Sequence, residues 1–293
     1  MNRWLAIVNP RSGGNRNGKR LAELLSILRS LAAHTVLTKH SGHAAELARE
    51  AESFAGVVAV GGDGTLFEIL KGIDRGRQRI ALIPAGRGNT LARDLGLMHR
   101  RNAFDVLHWR EARTIDLMQV HITTSDGTRS SYLSASTVAV GYAAAVTQRA
   151  RKLVSLGRMS YVAAAASTRP SQFDARLQYG ETPSREVRLS GFIANNTRHL
   201  ANFVGFRNAS CSDGHFETME FNAGMIKQTA HNISALSRTY LYEPYPINQA
   251  TTMQLHLEAP QNLMLDGEIV PSVISIGVNM LPGALSCNGP EPQ

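Results

Sequence analysis

Asp63 lies among glycines. In Gly61-Gly62-Asp63-Gly64-Thr65, three glycines follow the apolar run Val57–Val60 and lead into a helix-like pattern. Glycines at a strand-to-helix turn let backbone N–H groups approach a phosphate closely. A carboxylate in their midst repels bare phosphate, so Asp63 requires either a metal that neutralises it or a reacting proton that needs it. Two further turns have related chemistry: Asn9-Pro10-Arg11-Ser12-Gly13-Gly14 and Pro84-Ala85-Gly86-Arg87-Gly88-Asn89. The run Gly13 to Lys19 fits G-x-x-x-x-G-K, but Arg20 follows where a P-loop needs Ser or Thr to hold magnesium. It is therefore read as a decoy, while Ser12 and its neighbouring backbone donors remain placed for phosphate contact in another manner. Thr65 and Glu68 match the capping-box pattern, which predicts a helix opening at Thr65.

The elements that must position these turns alternate through the first third. Strands are predicted at Trp4–Asn9, His34–Thr38, Val57–Val60 and Ile80–Pro84. Helices are predicted at Gly18–Leu31, Ala44–Phe54 and Thr65–Ile73. This βαβα rhythm implies a parallel sheet whose ligands bind at the carboxyl ends of its strands, where all three glycine turns lie. From about residue 113 the texture changes to successive strands: Ile115–Ile122, Tyr132–Val140, Ala175–Tyr179, Val187–Asn195, Thr218–Phe221 and Thr252–Leu257. A helical interval at Ala143–Ala166 interrupts them. The fold class is α/β plus β. An N-terminal α/β domain with a parallel sheet spans 1–122, and a mostly antiparallel β-rich domain spans 123–282, with the tail 283–293 free to return to the first.

Composition narrows the partners. The 293-residue chain is 43% hydrophobic and 18% charged, values of a globular protein with a real core. Its net charge of +8 suits an anionic partner. Aromatic residues make up only 6%, too few for stacking on nucleic-acid bases, so no nucleic-acid partner is expected. Cys211 and Cys287 form no metal-type pair, and the ten histidines show no zinc spacing. No G-x-S-x-G nucleophile elbow occurs. No run approaches 18 apolar residues, and the opening apolar run is too short for a signal peptide, so the chain is read as cytoplasmic. Arg149, Arg151, Lys152 and Arg158 form a basic cluster in the helical interval. It is either a solvated face or an attraction for anionic lipid headgroups.

In order along nearly the whole chain, the motifs resemble the diacylglycerol kinase catalytic-domain family, bacterial soluble lipid kinases related to sphingosine kinases. Asn9-Pro10-Arg11-Ser12-Gly13 is similar to N-P-x-S-G. Gly61 to Thr65 resembles a nucleotide-phosphate loop that NAD kinases and phosphofructokinases share. Pro84 to Arg93 resembles P-x-G-[TS]-G-N-D-x-A-R, Ile115-Asp116-Leu117 resembles I-D-[LM], Ser212-Asp213-Gly214 resembles [DN]-D-G, and Leu265-Asp266-Gly267-Glu268 resembles L-D-G-E.

The resemblance implies an ATP- and magnesium-dependent lipid kinase. Its C-terminal domain would be sandwich-like, its active site would lie in the interdomain cleft, and it would act peripherally at the anionic inner membrane surface. Gly61, Gly62, Asp63, Gly64, Thr65 and Glu68 would line the ATP phosphates, together with Asn9, Ser12, Gly86, Arg87, Gly88 and Asn89, and Thr38 would touch the nucleotide. Asp213 would ligate a structural magnesium with backbone carbonyls near Ser210 and His215. Glu268 is the implied base, with Asp63 the alternative that sphingosine kinases use. A homodimer is left open. Arg87, Thr90 and Phe67 depart from the family pattern; Arg87 and Phe67 leave a non-catalytic nucleotide- or lipid-binding regulator as one alternative, and the shared Gly61–Thr65 loop leaves an NAD kinase-like enzyme as another.

Overall fold

The computed structural model describes residues 4–12, 18–30, 34–86, 88–98, 105, 112–153, 160–200, 204–206, 208–221 and 247–289. The chain divides into two compact units. The first comprises residues 1–116 and 283–293, and the second residues 117–282. The first crossing falls six residues before the boundary drawn from the sequence.

In the first unit, strands β1 (Trp4–Val8), β2 (His34–Leu37), β3 (Gly56–Gly61) and β4 (Arg79–Pro84) are parallel, in the order β2-β1-β3-β4. Helices α1 (Gly18–Ser30), α2 (His43–Arg49), α3 (Asp63–Leu70) and α4 (Thr90–Asp94) are interleaved with the strands. Every residue of β3 is buried, as a central strand covered on both faces must be. One face packs Ala6, Val8, Val58, Val60, Ala81 and Ile83 against Leu24, Leu25 and Leu28 of α1. Because β2 and β3 flank β1 on opposite sides, the strand order reverses between β1 and β3. The crevice outside the carboxyl ends at such a point is where open α/β sheets bind ligands.

The second unit is antiparallel. It holds β5 (Ala112–Thr124, entering from the first unit), β6 (Arg129–Ser134), β7 (Thr137–Gly141), helices α5 (Tyr142–Lys152) and α6 (Ser160–Ser167), β8 (Phe173–Tyr179), β9 (Arg185–Leu189) and β10 (Gly191–Asn195). Two short strands follow, β11 (His199–Leu200) and β12 (Val204–Gly205), then β13 (Phe216–Phe221), β14 (Ile247–Ala250), β15 (Thr252–Leu265) and β16 (Glu268–Asn288). The sheet runs β14-β13-β10-β7-β15-β16. The long β15 pairs with β8 over Met253–Leu257 and with β7 over Leu263–Leu265, with register shifts between the two stretches. One hairpin thus serves two sets of neighbours. Around Ala139, Ile193, Met219 and Met264 a core forms against Ala144 of α5. At its far end β16 leaves this unit, and Cys287 and Asn288 pair in parallel with Ile80 and Ala81 of β4.

Four expectations are corrected. Val187–Asn195 is two strands, β9 and β10, which break at Ser190, whose N–H and hydroxyl both donate to the Phe221 carbonyl. Tyr132–Val140 is two strands, because the backbone N–H groups of Ala135 and Ser136 donate to Asp266 instead of to a sheet partner. Helix α3 opens at Asp63 with extended Gly62 as its N-cap, so Thr65 and Glu68 form no capping box. The single helical interval is two helices.

Candidate active site

In the first unit, loops after β1, β3 and β4 interlock. Asn9 donates its backbone N–H to the Val60 carbonyl (2.9 Å) and its side-chain amide to Thr65 Oγ1 (3.0 Å). Ala85 and Gly86 donate to the Gly61 carbonyl at 2.8 and 3.1 Å. A Cβ on Gly62 would lie 3.0 Å from Gly86 Cα, so the loops cross backbone on backbone. Asn89, at φ 52, accepts from Gly86 N–H and donates to the Gly86 carbonyl, both at 2.8 Å, and so closes the third loop on itself. Beneath the loops lies a cavity of about 20 Å³, lined by Gly62, Asp63, Leu66, Leu82, Asn89 and Leu91, with room for a water but not a nucleotide.

Helix α3 starts at this junction, so the N–H groups of its first turn have no partner within the helix, which favours an anion there. Asp63 turns its carboxylate aside. Its Oδ1 accepts the Thr90 backbone N–H at 2.6 Å, in the first turn of α4. Gly88 leaves room for the other oxygen, since a Cβ there would lie 2.5 Å from Asp63 Oδ2. Glu68, one turn later, accepts from Ser41 Oγ and Ala44 N–H at 3.3 Å and so anchors the start of α2. Ser12 donates its backbone N–H to the Asn9 carbonyl, and Thr38 donates to the Val8 carbonyl. The structure thus brings Asn9, Ser12, Thr38, Gly61, Gly62, Asp63, Gly64, Thr65, Gly86, Gly88 and Asn89 to one end of the first unit's sheet. Arg87, and Arg158 of the basic cluster, lie outside the described residues.

In the second unit, Asp266 and Gly267 form the β15–β16 hairpin turn, both at positive φ (47 and 90) as a two-residue turn of this kind requires. Asp266 is buried and accepts five hydrogen bonds: from Ser134 Oγ, Ala135 N, Ser136 N, Ser136 Oγ and Thr137 N, at 2.6–2.9 Å. The next residue is Glu268, whose half-exposed carboxylate pairs with Arg151 at 2.7 Å. Asp266 and Arg151 were not singled out from the sequence for these roles. The Asp-Gly pair signalled a turn but not the nest of donors 130 residues away in sequence.

Asp213 sits in an exposed turn, where its Oδ1 accepts the His215 N–H at 3.0 Å and its carbonyl faces His215 Nδ1 at 2.8 Å. Ser210 Oγ lies 3.3 Å from Ser212 Oγ. No three His, Cys, Asp or Glu side chains cluster for a metal among the described residues. Beyond the turn, Glu217 is buried with one oxygen lacking a hydrogen-bond partner among the described residues. Burial pushes its carboxyl above the usual range, and the Asp213 charge pushes it the same way. The buried oxygen of Glu217 is of the donor type a hard cation takes, but the described residues assemble no ligand cluster around it.

The diacylglycerol kinase catalytic domain family matches residues 3–120. A diacylglycerol kinase of Bacillus subtilis is 26% identical over 296 residues, covering 92% of this chain and 93% of its own. Four further curated relatives match over 30–33% of this chain and 10–34% of their own length. The crystal structure of a diacylglycerol kinase from Bacillus anthracis superposes with a TM-score of 0.77 at 20% identity, over 99% of this chain and 98% of that one. An NAD kinase from Archaeoglobus fulgidus in complex with ATP gives a TM-score of 0.53 at 14% identity, over 99% of this chain and 94% of that one. No described helix is long and apolar enough to cross a membrane.

Proposed function

We propose that this chain, whose residues 3–120 belong to the diacylglycerol kinase catalytic domain family, transfers the γ-phosphoryl group of ATP to a lipid hydroxyl. The observation that carries the reading is the interlock of three glycine-bearing loops at the strand-order reversal, with the N-terminus of α3 opening there. A relative named diacylglycerol kinase that aligns over nine-tenths of both chains supports diacylglycerol as the acceptor.

In this reading Gly61 to Thr65 and the first turn of α3 hold the phosphates, and Asn9, Ser12, Thr38, Gly86, Arg87, Gly88 and Asn89 complete the nucleotide's surroundings. Glu268 accepts the lipid hydroxyl proton as that oxygen forms its bond to the γ-phosphorus. The bond to the β–γ bridging oxygen breaks and ADP leaves. Catalysis of this kind is chiefly positioning and charge stabilisation. Magnesium, when bound, neutralises phosphate charge, and Asp213 with the Ser210 and His215 carbonyls would hold a further, structural ion. The lipid would be met at an anionic membrane surface, which the charge of +8 favours.

The test is a panel of γ-labelled ATP with diacylglycerol, a sphingoid base or NAD. Label in the chloroform phase with diacylglycerol is the expected result. Label on NAD alone would overturn the lipid assignment, and no ATP turnover with any acceptor would make the chain a binder.

A further inference from the structure

We propose that Arg151 is the positioning residue of Glu268: one guanidinium nitrogen grips both the Glu268 carboxylate and the carbonyl before it, and so aims the base. The inference rests on the reading of Glu268 as the group that takes the hydroxyl proton. Arg151 Nη2 lies 2.7 Å from Glu268 Oε1 and donates to the Gly267 carbonyl at 2.6 Å.

The fold explains why the grip falls there. Strand β7 runs from Thr137 to Gly141, about 16 Å at 3.3 Å per residue. Gly141, at φ 72, reverses the chain into α5, whose 11 residues rise about 16 Å at 1.5 Å each. Strand and helix match in length, so Thr137 at the start of β7 and Arg151 near the end of α5 reach the same end of the unit. Thr137 N–H donates to Asp266, and Arg151 holds Gly267 and Glu268. A single strand–helix unit therefore holds the hairpin turn from both sides.

The two grips do different things. Asp266, buried with five donors, fixes the backbone of the turn and leaves the side-chain torsions of Glu268 open. Glu268 is 44% exposed, so core packing does not fix it either. Arg151 supplies that constraint through Oε1 and leaves Oε2 for the acceptor hydroxyl. Nearby Arg149 and Lys152 are also exposed at the end of α5, but no contact ties them to the turn among the described residues. Of the basic residues described in this helix, Arg151 is therefore the one assigned to the reaction.

The test compares wild type, Arg151→Ala, Arg151→Lys, Glu268→Gln and the Arg151→Ala/Glu268→Gln double variant, with a short-chain diacylglycerol in neutral detergent. Arg151→Ala is expected to lower kcat by about 10–100-fold, the scale of a small misplacement of a reacting group, with the KM for ATP unchanged. Lys restores the charge and recovers part of the rate, and free guanidinium ion rescues the Ala variant. In the Glu268→Gln background the Ala change costs nothing further, because the group it positions is already gone. Wild-type kcat in Arg151→Ala, or losses that multiply in the double variant, would overturn the proposal. A loss confined to anionic vesicles and absent in detergent would make Arg151 a membrane contact and overturn it as well. If the wild type turns over no acceptor, the kinase reading has failed, and amide exchange at Gly267–Ile269 then decides the grip: faster in Arg151→Ala supports it, unchanged removes it.

Discussion

Asp63 brings a negative charge into a loop suited to anions, and its carboxylate geometry resolves the conflict. Its Oδ1 accepts the Thr90 backbone N–H, at the start of a helix that welcomes negative charge. Asp63 is thus a structural tie as well as a candidate for chemistry, and two substitutions separate the roles. Asp63→Asn keeps an oxygen that can accept from Thr90, whereas Asp63→Ala removes it. The Asn variant is expected to melt within a degree or two of wild type and to lose kcat by roughly 10²-fold, the scale of a reacting group held slightly out of place. The Ala variant should lose activity and also about 0.5–2 kcal/mol of stability, the cost of a lost cap. Full turnover in Asp63→Asn would leave Asp63 only its structural tie. The sequence singled out Asp63 from its glycine neighbours. It could not show Thr90 as the partner, because the two are 27 residues apart with a β-strand between them.

At the scale of elements, glycines with similar sequence context do different work. Gly86 crosses Gly62 so closely that an added Cβ would overlap the Gly62 backbone. Gly267 has positive φ but nothing within 4 Å of an added Cβ. Gly86→Ala must therefore push two loops apart, whereas Gly267→Ala meets only backbone strain. The expected losses are about 1–3 kcal/mol or more for Gly86→Ala, as for overpacking, and about 1 kcal/mol for Gly267→Ala. Weakened ATP binding should accompany the first alone, measured by thermal melts and nucleotide titration. Helical and strand periodicity made the alternation of the first unit legible, and the Asp-Gly pair made the β15–β16 turn legible. The start of α3 was misplaced because Thr65 and Glu68 imitate a capping box while their side chains bond to Asn9, Ser41 and Ala44. The break at Ala135-Ser136 was hidden because a buried carboxylate from 130 residues later recruits those amides.

The whole molecule is two units crossed twice by the chain, and the first is completed by the last residues. Gly283 N–H donates to Asp116 Oδ1 at 2.7 Å, which ties the two crossings. Beyond it, Leu285 and Cys287 are fully buried, and Arg75 reaches the Ala284 carbonyl at 3.4 Å. Truncation after Pro282 removes these contacts and bares the edge of β4. Each buried aliphatic side chain is worth about 1.5–3 kcal/mol against a total of roughly 5–15 kcal/mol. The truncated chain is expected to melt far lower and to aggregate through the exposed edge, read by thermal melt and size exclusion. A truncated chain as stable as the full one would show that the last strand is dispensable.

The return of β16 to β4 also orders events in time. A growing chain leaves the ribosome from its N-terminus, so β4 emerges at Pro84 about 200 residues before Cys287 arrives to pair with it. At roughly 5–20 residues per second that is a wait of about 10–40 s. Through that interval the nascent sheet carries an open apolar edge beside the loops proposed to bind phosphate. During biosynthesis, the unit whose strands are made first is therefore the one whose sheet is completed last.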